Sequence, residues 1–350
     1  MKKILNIIVG VMVSSLIIIL LFIGYLTVNE YKPKKMEDLT ITNGKKELIK
    51  HHDISLLTLN IGYGGLSNSE DFFMDGGKTV QPKSSEFIKQ NLTGIINMLK
   101  EHPSDIYLLQ EVDINSKRSY YINQKSILST SLHMPSVFAY NFNVPYVPFP
   151  LPPIGKVESG IATMTNLNMN EAKRIALPNP FPWPISLANL KRALLETRFP
   201  IKDSKKELVV FNLHLDAYDD GQGKIEQSKL LKKMIETEYN KGNYVIAGGD
   251  FNQVFDGSHP FPNTGQNGWK PGSISSTDIP DHFSFSYDDT HPSVRVLNHA
   301  FTGNYESSQV YVIDGFIVSD NIKVKRTNSF DYNFKYTDHH PVQTIIHLQD

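Results

Sequence analysis

The chain has 350 residues, 40% of them hydrophobic, and a formal net charge of −1. It is long enough to bury a large core as one large domain or two small ones, and it is neither a strongly basic nucleic-acid coat nor an acidic disordered chain, although a local basic groove is compatible with the balance. It contains no cysteine, which excludes disulfide frameworks, zinc–thiolate sites and cysteine nucleophiles without fixing the compartment.

From Ile4 to Asn29 no residue is charged, and the run is rich in Ile, Leu and Val. As a helix rising ~1.5 Å per residue it spans a hydrocarbon core of ~30 Å. Lys2 and Lys3 precede it and favour a cytoplasmic amino end, although Lys32, Lys34 and Lys35 on the far side weaken that asymmetry. Residues 1–29 therefore read as an uncleaved single-pass anchor with the following chain outside the cytoplasm. The alternative is a cleaved signal peptide and a secreted protein. The run is longer than an ordinary signal core, and Tyr25-Leu26-Thr27-Val28-Asn29 offers no small-x-small site. Residues 30–52, polar and aperiodic with Pro33 and Asn43-Gly44, read as a linker holding a domain over 53–350 off the membrane.

Ile54–Asn60 is apolar on both alternating faces, as a central strand is, and Gly62, Gly64 and Gly65 open a loop after it. Ser84 or Ser85 caps a helix with apolar positions Ile88, Leu92, Ile95, Ile96 and Leu99, stopped by His102-Pro103. A strand over Asp105–Glu111 follows, so Asn60 and Glu111 stand at two strand ends. Short strands are expected over Gly160–Thr165, Ala193–Phe199 and Leu208–Leu215, then a helix over 224–240 stopped by Gly242. Tyr244–Ala247 is an apolar strand ended by Gly248-Gly249, with Asp250 and Asn252 on the turn. After a region rich in Pro, Gly and Ser (256–293), strands resume at Val310–Val318 and Val342–His347. Many strands with few helices suggest two packed sheets flanked by helices. Two proline-aromatic loops, 144–153 and 178–184, are rigid surface loops, or a rim that shapes substrate access or touches a membrane surface.

The residues that carry chemistry sit at these strand ends. Glu111 is a carboxylate closing an apolar strand, suited to Mg²⁺, Mn²⁺ or Ca²⁺ or to a salt bridge or cap. Asn212, His214 and Asp216 share one strand face, directed either at a cleft or at solvent. Asp314, inside an apolar strand, needs a partner, and a histidine is the natural one. In Thr337-Asp338-His339-His340-Pro341 adjacent side chains point apart, so one histidine faces the site and the other does not.

Read in order, Asn60, Gln110-Glu111, Asn212-Leu213-His214, Gly249-Asp250-Phe251-Asn252, Asp314-Gly315 and Thr337-Asp338-His339-x-Pro341 resemble the endonuclease/exonuclease/phosphatase (DNase I-like) superfamily over roughly 53–348. The resemblance implies an α/β fold, a four-layer α/β/β/α sandwich, with the site where the sheets meet. It implies a divalent-metal-dependent phosphoester hydrolase using Mg²⁺, with Mn²⁺ or Ca²⁺ as alternatives. Glu111 with Asn60 would hold the ion and Asp338 would complete its shell. His339, paired with Asp314, would be general base or phosphate-stabilising cation. Asp250 would orient the attacking water, Asn252 would bond the phosphoryl oxygens, and His214 would be general acid or transition-state stabiliser. Asn212 and Glu158 are expected substrate-binding residues, and Arg118 and Arg192 are candidate phosphate contacts or, alternatively, members of surface salt bridges. His214 points to the DNase I, sphingomyelinase or phosphatase branches, because abasic-site endonucleases usually lack it. The family's final-motif serine is Thr337 here, which keeps the hydroxyl. The expected activity is a phosphodiesterase or nuclease outside the cytoplasmic membrane. The alternatives are a sphingomyelinase-like phospholipid phosphodiesterase, an inositol-phosphatase-like enzyme, or, less favoured, a non-enzymatic binding module. The partners implied are a phosphodiester substrate, either nucleic acid or a phospholipid headgroup, and the membrane, with no obligate protein partner.

Overall fold

In the computed structural model, which describes residues 2–42, 44–218, 221–265 and 268–350, alternating apolar strands build two sheets that pack face to face. Asn43 of the expected Asn43-Gly44 turn lies outside the described residues. The helices are α1 (Lys2–Val28), α2 (Ser85–Glu101), α3 (Gln124–Leu132) and α4 (Gln222–Asn240). The first strands are β1 (Met36–Asp38), β2 (Ile54–Asn60), β3 (Ile106–Asp113), β4 (Ser136–Val147), β5 (Gly155–Thr165) and β6 (Glu171–Ala176). Then come β7 (Ala193–Pro200), β8 (Glu207–His214), β9 (Tyr244–Asp250), β10 (Gln253–Phe255), β11 (Gly272–Ile274) and β12 (Phe283–Ser286). The last are β13 (Val294–Arg295), β14 (Val310–Tyr311), β15 (Asp314–Ser319), β16 (Ile322–Ser329) and β17 (Val342–Leu348).

One large sheet runs β1-β6-β7-β8-β9-β15-β12 and the other β16-β17-β2-β3-β5-β4, and β10-β11 and β13-β14 form two small two-stranded sheets. Leu56, Leu108 and Ile161 of one meet Leu195, Val210, Ile246 and Phe316 of the other in the central core. The alternate residues face outward: Leu57, Leu59 and Leu109 pack under α2, and Val209, Phe211 and Val245 pack under α4. The result is the four-layer α/β/β/α sandwich, its central strands β2, β3, β8, β9 and β15 buried on both faces as their sequences require. Ser84 caps α2 by accepting the Phe87 N–H, and Ile88, Leu92, Ile95, Ile96 and Leu99 are all buried as the helical spacing predicts. The Val310–Val318 strand is two pieces, β14 and β15, interrupted at Val312-Ile313.

Residues 30–52 differ from the expected free linker. β1 pairs antiparallel with β6, Leu48 is buried in the central core, and Lys191 Nζ donates to Glu30 Oε1 and to the Tyr31 carbonyl. Leu39 and Ile41 pack against the same core, an apolar contribution that shows no periodicity in a mostly polar sequence. α1 is exposed along nearly its whole length, with Leu26 buried and the Phe22 ring meeting Tyr146 edge-on at 6.0 Å.

Candidate active site

Strand alternation decides which side chains reach the junction of the two sheets. On β2, β8 and β9 the residues that share a face with the central core end in Asn60, His214 and Asp250, and β15 begins with Asp314 on that same face. Glu111 breaks the alternation. The register of β3 with β5 shifts between Leu109 and Val112, and Glu111 has φ 54°. This bulge turns a side chain that simple alternation sends toward α2 into the cleft instead. Gly249 has φ 151°, and a Cβ there would sit 2.0 Å from the Leu213 carbonyl oxygen, so the close β8–β9 pairing that sets His214 opposite Asp250 needs glycine.

His339 links two carboxylates. Its Nδ1 lies 2.8 Å from Asp314 Oδ2 and its Nε2 3.7 Å from Asp250 Oδ2. Burial opposes a charge on this ring, but the Asp314 and Asp250 carboxylates outweigh it and raise its pKa to about 10. His339 is therefore an imidazolium at neutral pH. Ser293 Oγ donates to Asp314 Oδ2 at 2.7 Å and accepts the Ile313 and Asp314 N–H groups, which fixes the outer carboxylate. Asp250 is pushed up to about 6, chiefly by burial, against the lowering effect of His339. Its Oδ1 accepts the Asn252 N–H at 2.9 Å, and its Oδ2 faces Asn60 Nδ2 at 3.0 Å and His214 Nε2 at 3.3 Å. Burial, then the charges of Arg192, His339 and Arg118, hold His214 well below the ordinary imidazole range, so it is neutral. The two histidines thus carry opposite protonation states. His340 points away, its Nδ1 donating to the Pro292 carbonyl and its ring stacking on Phe334.

Of five further expected site residues, Asn60, Arg118 and Arg192 line the cleft with protein partners of their own, and Asn212 and Glu158 lie outside its lining. Asn60 Oδ1 accepts the Gly62 N–H, and its amide donates to Glu111 and Asp250, so it joins the two carboxylates. Asn212 is fully buried between the sheets, accepting from Gln110 Nε2 at 2.8 Å and donating to the Ala162 carbonyl; it ties the sandwich together below the cleft. Arg118 makes a two-pronged pair with Asp113 and lies over the Tyr63 ring, while Arg192 pairs with Asp216 and the His214 carbonyl. Both line the cleft, each paired with an aspartate. Glu158 pairs with Lys156 and Asn115 outside the cleft lining. Asn252 lines the cleft as expected, with φ 51° and its amide donating to the Leu215 carbonyl.

Asp75, Tyr218 and Ser293 were not legible. Tyr218 Oη donates to Asp75, which also accepts the Leu297 N–H. Burial raises both acids, Asp75 from its ordinary value and Tyr218 well above the ordinary phenol value. Asp75 ends a single 3-10 turn (Phe73–Asp75) and the other two lie in loops, where no sequence pattern marks them.

The donors fit a hard divalent cation at Glu111 and Asp338. Burial is the main cause that lifts Asp338 to about 7, with the Glu111 carboxylate adding to it, and a divalent cation between the two would reverse that cost. Asp250, Asp314 and His339 also offer ligand atoms within 4.8 Å of one another. There the His339 imidazolium offsets one of the two carboxylate charges.

Among solved structures the chain is similar to an endonuclease/exonuclease/phosphatase from Beutenbergia cavernae, at TM-score 0.58 and 16% identity, covering 85% of this chain and 72% of that one. It is similar to another from Bacteroides vulgatus at TM-score 0.57 and 16% identity, covering 85% and 100%. It is also similar to ANGEL2, a 2′,3′-cyclic phosphatase, at TM-score 0.57 and 14% identity, covering 91% and 100%. No family model and no curated protein sequence matches the chain. The chain thus has the endonuclease/exonuclease/phosphatase fold that its strand-end residues resemble.

Proposed function

We propose that the protein is a divalent-metal-dependent phosphodiester hydrolase, anchored by α1 and working on the side of the membrane where that helix ends. The observation that carries this reading is the relay Asp314–His339–Asp250, with His214 across from it and Glu111 and Asp338 beside it. Relatives in fold include a 2′,3′-cyclic phosphatase, which supports phosphoester chemistry for the same framework.

Hydrolysis of a phosphodiester needs an aligned water, neutralised phosphoryl oxygens and a stabilised leaving oxygen. Asp250, raised to about 6, is a better proton acceptor at neutral pH than an ordinary carboxylate and orients the water. The His339 imidazolium, held charged by Asp314, faces the phosphoryl group as a cation. Neutral His214 adds a hydrogen bond, and Asn60 joins Asp250 to Glu111. A divalent ion bound at Glu111 and Asp338 would supply further charge neutralisation on the phosphate oxygens.

A panel of DNA, RNA, soluble phosphodiesters and phospholipid vesicles, given to the purified full chain with Mg²⁺ or Mn²⁺, tests the reading. Turnover of at least one class, abolished by chelator, supports it. No turnover of any class sinks it.

A further inference from the structure

The membrane helix does not stand clear of the catalytic domain. Phe22, Ile23 and Leu26, from the last turns of α1, line the same cleft of about 870 Å³ as Glu111, Asp250 and His339. Besides these polar groups the lining has an apolar arm contributed by α1 and by the two proline-aromatic loops, through Val147, Phe149, Phe181 and Ile185. Lys191, joined to Glu30 and Tyr31 just past the helix, pins this arrangement to the sandwich.

Depth follows from length. Counting ~1.5 Å per residue from Ile4, a core of ~30 Å is crossed after about 20 residues, near Ile23. The apolar arm therefore opens where hydrocarbon gives way to lipid headgroups. The loops at that level carry large apolar side chains in the open: Phe149 is 70% exposed, Leu151 85%, Trp183 66% and Ile185 57%. Such side chains suit the interfacial layer rather than bulk water. Charge points the same way. Among the described residues no lysine lines the cleft. Of its three arginines, Arg118 is paired with Asp113 and Arg192 with Asp216, which leaves Arg295, held by the carbonyls of Ser67, Glu70 and His299, as the one without a carboxylate partner. A nucleic-acid strand needs free cations along its path.

We infer that the substrate is an amphipathic phosphodiester of the leaflet into which α1 emerges, its phosphate at Asp250 and His339 and its hydrocarbon chain in the arm walled by α1. The inference rests on the hydrolase reading and adds that α1 is part of the substrate site as well as a tether.

Two measurements on the full chain test it. In detergent, alkyl p-nitrophenyl phosphates from methyl to octyl keep the reacting group constant. The expected kcat/KM rises roughly 4-fold per methylene until the arm is filled, the value set by burial of one CH₂, and Ile185→Asp flattens that slope. A flat series in the unaltered protein overturns the inference while leaving the hydrolase reading intact. In proteoliposomes, a diazirine-tailed phosphatidylglycerol should label Phe72–Met74, which lie inside the cleft. Label confined to the outward faces of α1 and the rim overturns the inference even if no hydrolysis is seen, an outcome that by itself would count against the hydrolase reading alone.

Discussion

Asp250 and Asp314 are register partners on adjacent antiparallel strands, and His339 reaches both, 2.8 Å from Asp314 and 3.7 Å from Asp250. Two carboxylates facing each other in a buried sheet repel, and the imidazolium between them makes the pair tenable. Asp314→Asn keeps the shape and removes half of that support. The expected outcome is a folded protein whose kcat on a soluble phosphodiester falls about 10²–10⁴-fold. Steady-state kinetics with a circular-dichroism control measures it, and a loss below about threefold would show that Asp314 does not orient His339.

The same charges set the pH profile. Asp250 acts as carboxylate, and its pKa is raised to about 6, so activity falls as pH drops through about 6. His339 acts as cation, and its pKa is raised to about 10, so activity falls as pH rises toward 10. A plateau between those limits is expected in kcat/KM. In Asp314→Asn the alkaline limb moves to lower pH, because the carboxylate that raises His339 is gone. An alkaline limb in the same place in both proteins contradicts the assignment.

Metal binding should be visible without turnover. An ion that settles between Glu111 and Asp338 stabilises the fold by mass action, by about 2.7 kcal/mol at a hundred times Kd. Mg²⁺ or Mn²⁺ should therefore raise the melting temperature, and Glu111→Gln should remove most of the rise. A rise unaffected by Glu111→Gln but lost in Asp314→Asn would move the ion to the relay.

Gly249 is a stability test of the site's scaffold. Its φ is 151°, and the Leu213 carbonyl oxygen lies 2.0 Å from where an alanine methyl would stand, so the position has no room for a side chain. Gly249→Ala should cost more than about 2 kcal/mol in urea unfolding, from backbone strain and overpacking together. It should also lower activity, since Asp250 follows directly. A neutral substitution would mean that β8 and β9 can separate without loss.

Much of this was legible because strand chemistry is local. The apolar alternation of Ile54–Asn60, Leu208–His214 and Tyr244–Asp250 fixes both the central strands and the face on which Asn60, His214 and Asp250 lie. The opposed directions of His339 and His340 follow from the same rule. Glu111 reached the cleft by another route, a bulge that no pattern announces. The partners of Arg118 and Arg192 could not be read, because Asp113 and Asp216 become neighbours only through loop geometry and strand pairing. Asn212 has the right face but the wrong depth: it lies one pleat below His214 and meets Gln110 across the sheets. Asp75 and Tyr218 meet from loops far apart in the chain, and only the fold brings them together.

The central claim is that Asp250, poised by His339, activates water against a phosphodiester. Turnover of bis(p-nitrophenyl) phosphate by the full chain with Mg²⁺ or Mn²⁺, compared with Asp250→Asn, tests it most directly. The account predicts chelator-sensitive turnover that falls at least about 10³-fold in Asp250→Asn, with the fold and the metal-induced melting shift retained. Equal rates in the two proteins would contradict it.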